Sequence, residues 1–231
     1  MQKDLIAPAA LALAMLAAPV MADPVVVELF TSQGCASCPP ADEMLRALAR
    51  HQDLIPLALH VDYWDYIGWA DTFADPAFTE RQEAYARQAN ERMVYTPQLI
   101  IGGRERVVGA DVLHVMGTVV DYLGQEPDVD LSFSRDEAGF HISAPATAGL
   151  DAPVLVQLVR FIPEAVVEIA RGENAGLAPV YVNIVSSWDE VAAWDGRADL
   201  SLDLPAEGDL PAVVILQAEG PGEVLATKVI R

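Results

Sequence analysis

The chain has 231 residues, a formal net charge of −20 and a hydrophobic content of 52%. The acidic charge is spread over both halves, which disfavours binding to nucleic acid or to anionic membranes. The hydrophobic content argues against a disordered chain, and the length suits one large domain or two small ones.

Residues 1–22 resemble a secretory signal peptide in composition. Lys3 supplies a positive charge, an apolar stretch runs from Leu5 to Val20, and Ala22 offers a small residue at the cleavage position. We expect cleavage before Asp23, because the stretch is short for the alternative, an uncleaved membrane anchor. The mature protein is then expected in the periplasm or outside the cell, where disulfides persist.

Residues 23–125 alternate between strand-like and helix-like patterns, which predicts an α/β domain of order β-α-β-α-β-β-α. The predicted strands are Pro24–Phe30, Leu54–Val61, Pro97–Ile101 and Arg106–Val108, and the predicted helices are Ala41–His51, Asp75–Met93 and Asp111–Leu123.

Residues 126–231 contain short alternating strands separated by turn residues, which predicts an antiparallel all-β sandwich as a second domain. Val191 to Trp194 is predicted as a short helix or a loop. The eight predicted strands are Val129–Ser134, Phe140–Ala144, Val154–Phe161, Ala165–Ala170, Val180–Ser186, Asp199–Leu204, Ala212–Gln217 and Val224–Ile230.

Both cysteines of the chain, Cys35 and Cys38, lie between the first predicted strand and the first predicted helix. A disulfide closing a loop of about 4 residues stabilises a fold by roughly 2 kcal/mol at best, so we interpret the pair as a reversible redox bond. The helix is expected to begin at Cys38 or Pro39, which places Cys35 where unpaired N–H groups stabilise a thiolate. A metal site remains an alternative, with His60 as a third ligand for Cu or Zn, although His60 in its apolar strand is expected to be a core residue.

Aromatic and acidic residues follow the second predicted strand, at the sheet edge that should carry the cysteines. Among them, Asp62, Tyr63 and Trp64 are candidate substrate-binding residues, because ligand sites in open α/β sheets lie at the carboxyl ends of strands. The alternative is that these aromatic residues cover a further helix or dock the sandwich.

This arrangement resembles the thioredoxin fold. The resemblance implies that Thr96-Pro97 is a cis-proline facing Cys35 and Cys38, and that Glu28 is a buried acid assisting proton transfer. The chain departs from the thioredoxin pattern at Gly34, where a Trp is usual, and Glu28 lies one residue farther from Cys35 than usual.

A narrower resemblance runs over nearly the whole mature chain, to a secreted bacterial family catalogued as domain of unknown function 1223. It implies a thioredoxin-like fold and a periplasmic setting, without a substrate. The motifs that carry it are Val27–Asp42, His60–Asp65, Gly68-Trp69, Arg81-Gln82 with Tyr85, Tyr95–Gln98 and Arg171–Gly176.

Together these features predict a periplasmic protein that exchanges disulfides with protein thiols and needs no cofactor. Cys35 would form the mixed disulfide and Cys38 would resolve it, with Glu28 carrying the Cys38 proton and Thr96-Pro97 presenting backbone groups to the partner. The direction of electron flow and the oligomeric state stay open. Two other classes remain: a Cu or Zn carrier, and a binding module without catalysis.

Overall fold

The computed structural model describes residues 22–136, 139–150, 152–205 and 208–230. In the first half, the predicted order β-α-β-α-β-β-α is confirmed, although the second helix ends at Gln88, five residues before its predicted end at Met93. A short 3-10 helix, Asp65–Ile67, which the sequence did not predict, follows the second strand. The elements are β1 Val25–Thr31, α1 Pro39–Leu48, β2 Leu54–His60, α2 Pro76–Gln88, β3 Gln98–Ile101, β4 Glu105–Val108 and α3 Val112–Tyr122.

The second half contributes seven described strands, two of which are longer than the sequence predicted. The strand predicted at 154–161 continues past Pro163 to Val166, whereas most of the strand predicted at 165–170 is not formed. The segment at 191–194 extends the preceding strand instead of forming a helix or loop. Two β-bulges keep these long strands paired. The strands are β5 Ser132–Arg135, β6 Gly139–Ala144, β7 Val154–Val166, β8 Val180–Trp194, β9 Leu200–Pro205, β10 Ala212–Ala218 and β11 Val224–Ile230.

The two halves share one sheet. Eight strands pair in the order β11-β10-β7-β8-β2-β1-β3-β4, and the other three form a separate sheet, β5-β6-β9. The junction is β8, which pairs in parallel with β2 through Ala58 and Ile184. The fold is therefore a mixed α/β architecture with a large, mostly β sheet and few helices.

The helices cover opposite faces of the large sheet. Alternate residues of β1 separate into two cores, because side chains of a strand alternate between faces. Val25, Val27 and Leu29 pack in the core that includes α1 and α3, whereas Val26 and Phe30 pack with α2. A third core joins the three-stranded sheet to β7, β10 and β11.

The predicted signal peptide, residues 1–22, lies outside the described residues except for Ala22. Of the helices that the described ranges contain, none combines the length and apolar character needed to cross a membrane.

Candidate functional site

The cysteine pair lies at the start of α1, as the sequence predicted. A disulfide joins Cys35 to Cys38, and Cys38 is the residue that caps the helix before Pro39. The Cys38 carbonyl accepts hydrogen bonds from the N–H groups of Ala41 at 2.8 Å and Asp42 at 3.1 Å. Cys38 therefore caps the helix and Cys35 lies in the turn just before it, near the backbone N–H groups of the helix start that favour negative charge on sulfur.

Both cysteines are buried. Cys35 is 2% exposed and Cys38 is 0% exposed. Ala36 and Ser37 between them are exposed, so the disulfide lies just beneath the surface.

Asn174, in the loop between β7 and β8, holds the segment in place. Its side-chain amide donates hydrogen bonds to the carbonyl oxygens of Gln33 and Cys35, both at 2.9 Å. Sequence analysis had included Asn174 only as part of a family motif. The second half of the chain thus fixes the backbone of the cysteine segment.

The Thr96-Pro97 peptide is cis and adjoins the cysteine segment. Ser37 Oγ donates to the Thr96 carbonyl at 3.4 Å, and Trp64 Nε1 donates to Thr96 Oγ1 at 2.7 Å. The structure therefore brings the predicted cis-proline, the cysteine pair and Trp64 together.

The other two predicted substrate-binding residues bond to α2. Tyr63 donates its hydroxyl to Gln82 Oε1 at 3.1 Å, and burial raises the pKa of Tyr63 to about 12. Asp62 Oδ1 accepts a 2.6 Å hydrogen bond from the Thr79 hydroxyl. These contacts hold the loop that presents Trp64 to Thr96.

Glu28 is buried, but it does not lie beneath Cys38. It shares the face of β1 that packs with α2, where Arg81 donates to both carboxylate oxygens at 2.7 and 2.8 Å. The Tyr85 hydroxyl donates to Glu28 Oε1 at 2.6 Å. The cysteines and α1 belong to the opposite face, which is the face of Thr31, so strand alternation explains why the resemblance misplaced this acid.

The cluster around Glu28 also connects the two halves. Gln217 of β10 accepts from Arg81 at 3.1 Å and donates to Tyr85 at 2.9 Å, while the Arg81 guanidinium lies 3.6 Å from the Trp188 ring centroid. Burial raises the pKa of Tyr85, which keeps its hydroxyl protonated as a donor. Glu28 is thus a fully paired buried carboxylate.

A second buried carboxylate, Asp42, lies on the same face as the cysteines. It is 6% exposed, and its Oδ1 accepts a 2.7 Å hydrogen bond from the Thr31 hydroxyl. Its Oδ2 has no hydrogen-bond partner among the described residues. Burial raises the pKa of Asp42 to about 7, an effect that His60 opposes.

His60 belongs to this second cluster. Its Nδ1 lies 2.7 Å from Asp71 Oδ2, while its Nε2 is buried and has no hydrogen-bond partner in the described part of the chain. Asp71 also accepts from the backbone N–H groups of Gln33 at 2.7 Å and Phe73 at 2.9 Å. Because a carboxylate only accepts hydrogen bonds, the 2.7 Å contact with Asp71 requires a proton on Nδ1 of His60.

Sequence reasoning missed Asp42 and Asp71 as site residues. The available signal for Asp42 was its position on the apolar stripe of α1, four residues after Cys38, because an acid on a buried helix face needs a reason. Among the described residues, no group of three or more His, Cys, Asp or Glu side chains is arranged to hold a metal ion. His60 is engaged with Asp71 and packs against the rings of Phe73 and Tyr181.

The fold and site define a mixed α/β protein with a disulfide-bonded Cys-x-x-Cys pair at a helix start, an arrangement compatible with redox or thiol chemistry. A family model described as protein of unknown function (DUF1223) matches residues 26–217, and the chain belongs to this family. No curated protein matches the chain significantly.

Two solved structures resemble the fold. Protein AGR_C_4864 from Agrobacterium tumefaciens, solved by X-ray crystallography, shares 35% sequence identity with this chain. The superposition covers 90% of this chain and 94% of that chain, with a TM-score of 0.76. HBP35 of Porphyromonas gingivalis shares 12% sequence identity with this chain. The superposition covers 90% of this chain and 75% of that chain, with a TM-score of 0.65. At this identity the second similarity concerns the fold alone.

Proposed function

We propose that the protein is a thiol–disulfide exchange protein that acts on protein thiols or disulfides through Cys35 and Cys38. The observation that carries the proposal is the disulfide at the start of α1, beside the cis peptide at Thr96-Pro97. A helix N-terminus stabilises the thiolate that exchange requires. The exposed Ala36 and Ser37 leave room for a partner chain to approach this turn.

The exchange involves two bond changes. When the protein oxidises a partner, the partner's thiolate attacks Cys35 Sγ, the Cys35–Cys38 bond breaks, and Cys38 leaves as a thiolate that takes up a proton. A second partner thiol then loses its proton and displaces Cys35, so that the partner gains a disulfide and the protein holds a dithiol. The reverse sequence reduces a partner disulfide.

We assign the recognition of the partner to the surface beside the cysteine turn. Trp64 is fixed against Thr96 by its indole N–H, so its ring and the cis-proline loop form one surface. We further propose a thioredoxin-like arrangement for residues 23–125, a β-sandwich for residues 126–231 and a periplasmic location after cleavage at Ala22. Sequencing the N-terminus of the exported protein tests the cleavage position.

A redox titration of residues 23–231 tests the exchange directly. We expect the pair to cycle reversibly between disulfide and dithiol in glutathione or dithiothreitol buffers, monitored by alkylation of the free thiols. A Cys38→Ser variant should accumulate mixed disulfides on Cys35 in cells, and a Cys35→Ser, Cys38→Ser double variant serves as the control. A pair that cannot be reduced and reoxidised while the protein stays folded contradicts the proposal.

A further inference from the structure

We infer that Asp42 exchanges the proton of Cys38 during thiol–disulfide exchange, and that the hydrogen bond from Thr31 tunes this exchange. This inference rests on the proposed function, because it gives a role at the same cysteine pair to residues that the exchange chemistry left without one.

The position of Asp42 places it within reach of Cys38. Cys38 is the first residue of the helical hydrogen-bonding pattern and Asp42 lies four residues later, with its N–H bonded to the Cys38 carbonyl. Side chains at this spacing are neighbours on one face of a helix, with Cβ atoms about 5–6 Å apart. Both residues are buried, so they share the side of α1 that packs on the sheet.

The hydrogen bonds of Asp42 leave one oxygen for chemistry. Thr31 occupies Oδ1, whereas Oδ2 is buried and has no partner within the described ranges. A buried carboxyl oxygen without a partner is costly for a structural residue. The same atom can accept the proton of a neighbouring thiol or return it.

His60 lies on the same face of the sheet as Thr31 and Asp42. Thr31 and His60 are register partners on the parallel strands β1 and β2, so their side chains emerge on the same face of the sheet, toward α1. The Asp71 carboxylate orients the imidazole, and its Nε2 is a second buried atom without a partner. His60 and the Thr31 hydrogen bond both favour the ionised form of Asp42, whereas burial and the nearby Asp71 favour the neutral form.

Two further titratable groups lie against this cluster. Asp65 accepts a 2.9 Å hydrogen bond from the Asp71 N–H, and the ring of Tyr181 of β8 lies 4.9 Å from that of His60. Burial raises the pKa of Tyr181, with Asp42 and Asp71 adding to the effect. The tyrosine therefore stays neutral across the physiological range and does not compete for the proton. Asp42, with a pKa near 7, is populated in both forms at neutral pH.

The proton balance follows the direction of exchange. When Cys38 closes on a mixed disulfide at Cys35, its S–H proton passes to Asp42 Oδ2, the Cys35–Cys38 bond forms, and the partner leaves as a thiolate. When a partner opens the disulfide, Cys38 leaves as a thiolate and Asp42 returns the proton. No oxidant besides the partner is needed.

The closing step can be measured with 5,5′-dithiobis(2-nitrobenzoate). Reduced protein forms a mixed disulfide with this reagent at Cys35, and Cys38 then releases a second thionitrobenzoate in a unimolecular step. In the wild type we expect the rate of this second release to rise with pH through the pKa of Asp42. In Asp42→Asn we expect about a 100-fold slower release at pH 7, because general base catalysis contributes about 10²–10⁴. The release rate of this variant should approach that of the wild type at high pH, where Cys38 ionises without a general base.

Glu43→Gln is the matched control, because it removes the neighbouring carboxylate of α1 on its exposed side. Its release rate should equal that of the wild type. Thr31→Val keeps Asp42 and removes its hydrogen bond, so the inflection should move to higher pH. This conservative change keeps the inference testable if Asp42→Asn does not fold.

The outcomes separate the inference from the exchange proposal. If Asp42→Asn and Thr31→Val release the second equivalent with wild-type rates and pH profiles, Asp42 does not carry the proton, while exchange at the cysteine pair stands. If the wild type releases no second equivalent and cannot be cycled in a redox buffer, the exchange proposal fails and the role of Asp42 fails with it.

Discussion

Glu28 and Asp42 are two buried carboxylic acids that lie on opposite faces of the same sheet and differ in how their oxygens are used. Both oxygens of Glu28 accept hydrogen bonds: Arg81 donates to each of them, and Tyr85 adds a third hydrogen bond. Asp42 has one donor, Thr31, and a second oxygen without a partner in the described structure. The difference separates a carboxylate that holds the fold together from one that is available to exchange a proton.

The largest expected effect on stability comes from breaking the ion pair between Glu28 and Arg81. Glu28→Gln leaves the Arg81 guanidinium buried without its counter-charge, which typically costs about 3–5 kcal/mol. Urea unfolding of the oxidised protein at pH 7 measures this cost. Glu83→Gln removes an exposed partner of Arg87 on the same helix and should cost less than about 1 kcal/mol. Equal losses in the two variants would remove the structural role assigned to Glu28.

The next effect is a pH dependence of stability that belongs to Asp42. Because its pKa is raised from 3.8 to about 7 in the folded state, the folded protein binds the extra proton between these values. The contribution of Asp42 to the free energy of unfolding is therefore fully present below pH 4 and is lost as the pH rises toward 7. The loss amounts to about 4 kcal/mol, at 1.36 kcal/mol per pKa unit.

Asp42→Asn should abolish this decline, so the variant gains stability relative to the wild type as pH rises from 4 to 8. Unfolding curves in urea across this pH range provide the measurement, with Glu43→Gln as the control that keeps the wild-type slope. A wild type and an Asp42→Asn variant with parallel profiles would show that Asp42 titrates normally.

The smallest expected effect concerns Asn174, which reaches the cysteine segment from the second half of the chain. Asn174→Ala loses both hydrogen bonds to the carbonyls of Gln33 and Cys35, at a cost of roughly 1–2 kcal/mol. We also expect the reduced Cys35 thiol to react severalfold faster with iodoacetamide, because the backbone that buries it is less restrained.

Asn183→Gly is the matched control for this change. Asn183 donates its amide to the Pro56 carbonyl, away from the cysteines, and glycine accepts its positive φ of 48°. The control should lose stability without a change in alkylation rate. Faster alkylation in the control as well would attribute the effect to general loosening of the fold.

Local features of the site were predictable from the sequence because they depend on neighbours in the chain. The cysteine pair at the start of α1 follows from Pro39 and the helical spacing after it, and the cis peptide was expected from the resemblance around Thr96-Pro97. The break predicted between the strands Val154–Phe161 and Ala165–Ala170 is wrong, because pairing with β8 continues on both sides of Pro163.

The remaining features depend on distant pairing. The sequence of a strand such as β8 does not indicate which strand it will join, so the parallel contact with β2 was not predictable. Because Asn174 lies in the loop before β8, its role at the cysteines could not be predicted either. Deciding whether Glu28 or Asp42 lies on the side of the cysteines required knowing which face of β1 packs against α1. The family resemblance did not give that information.

The central position of β8 has a consequence for how the protein is made. Ribosomes deliver the cysteines about 150 residues before they deliver β8, and until then β2 is an apolar strand with one unpaired edge. Unpaired strand edges are prone to aggregate. Until Asn174 is synthesised, the Cys35 carbonyl also lacks the hydrogen bond from its side-chain amide. The thiols are therefore open to small-molecule oxidants and to folding catalysts during synthesis, and they become shielded only when the last third of the chain arrives.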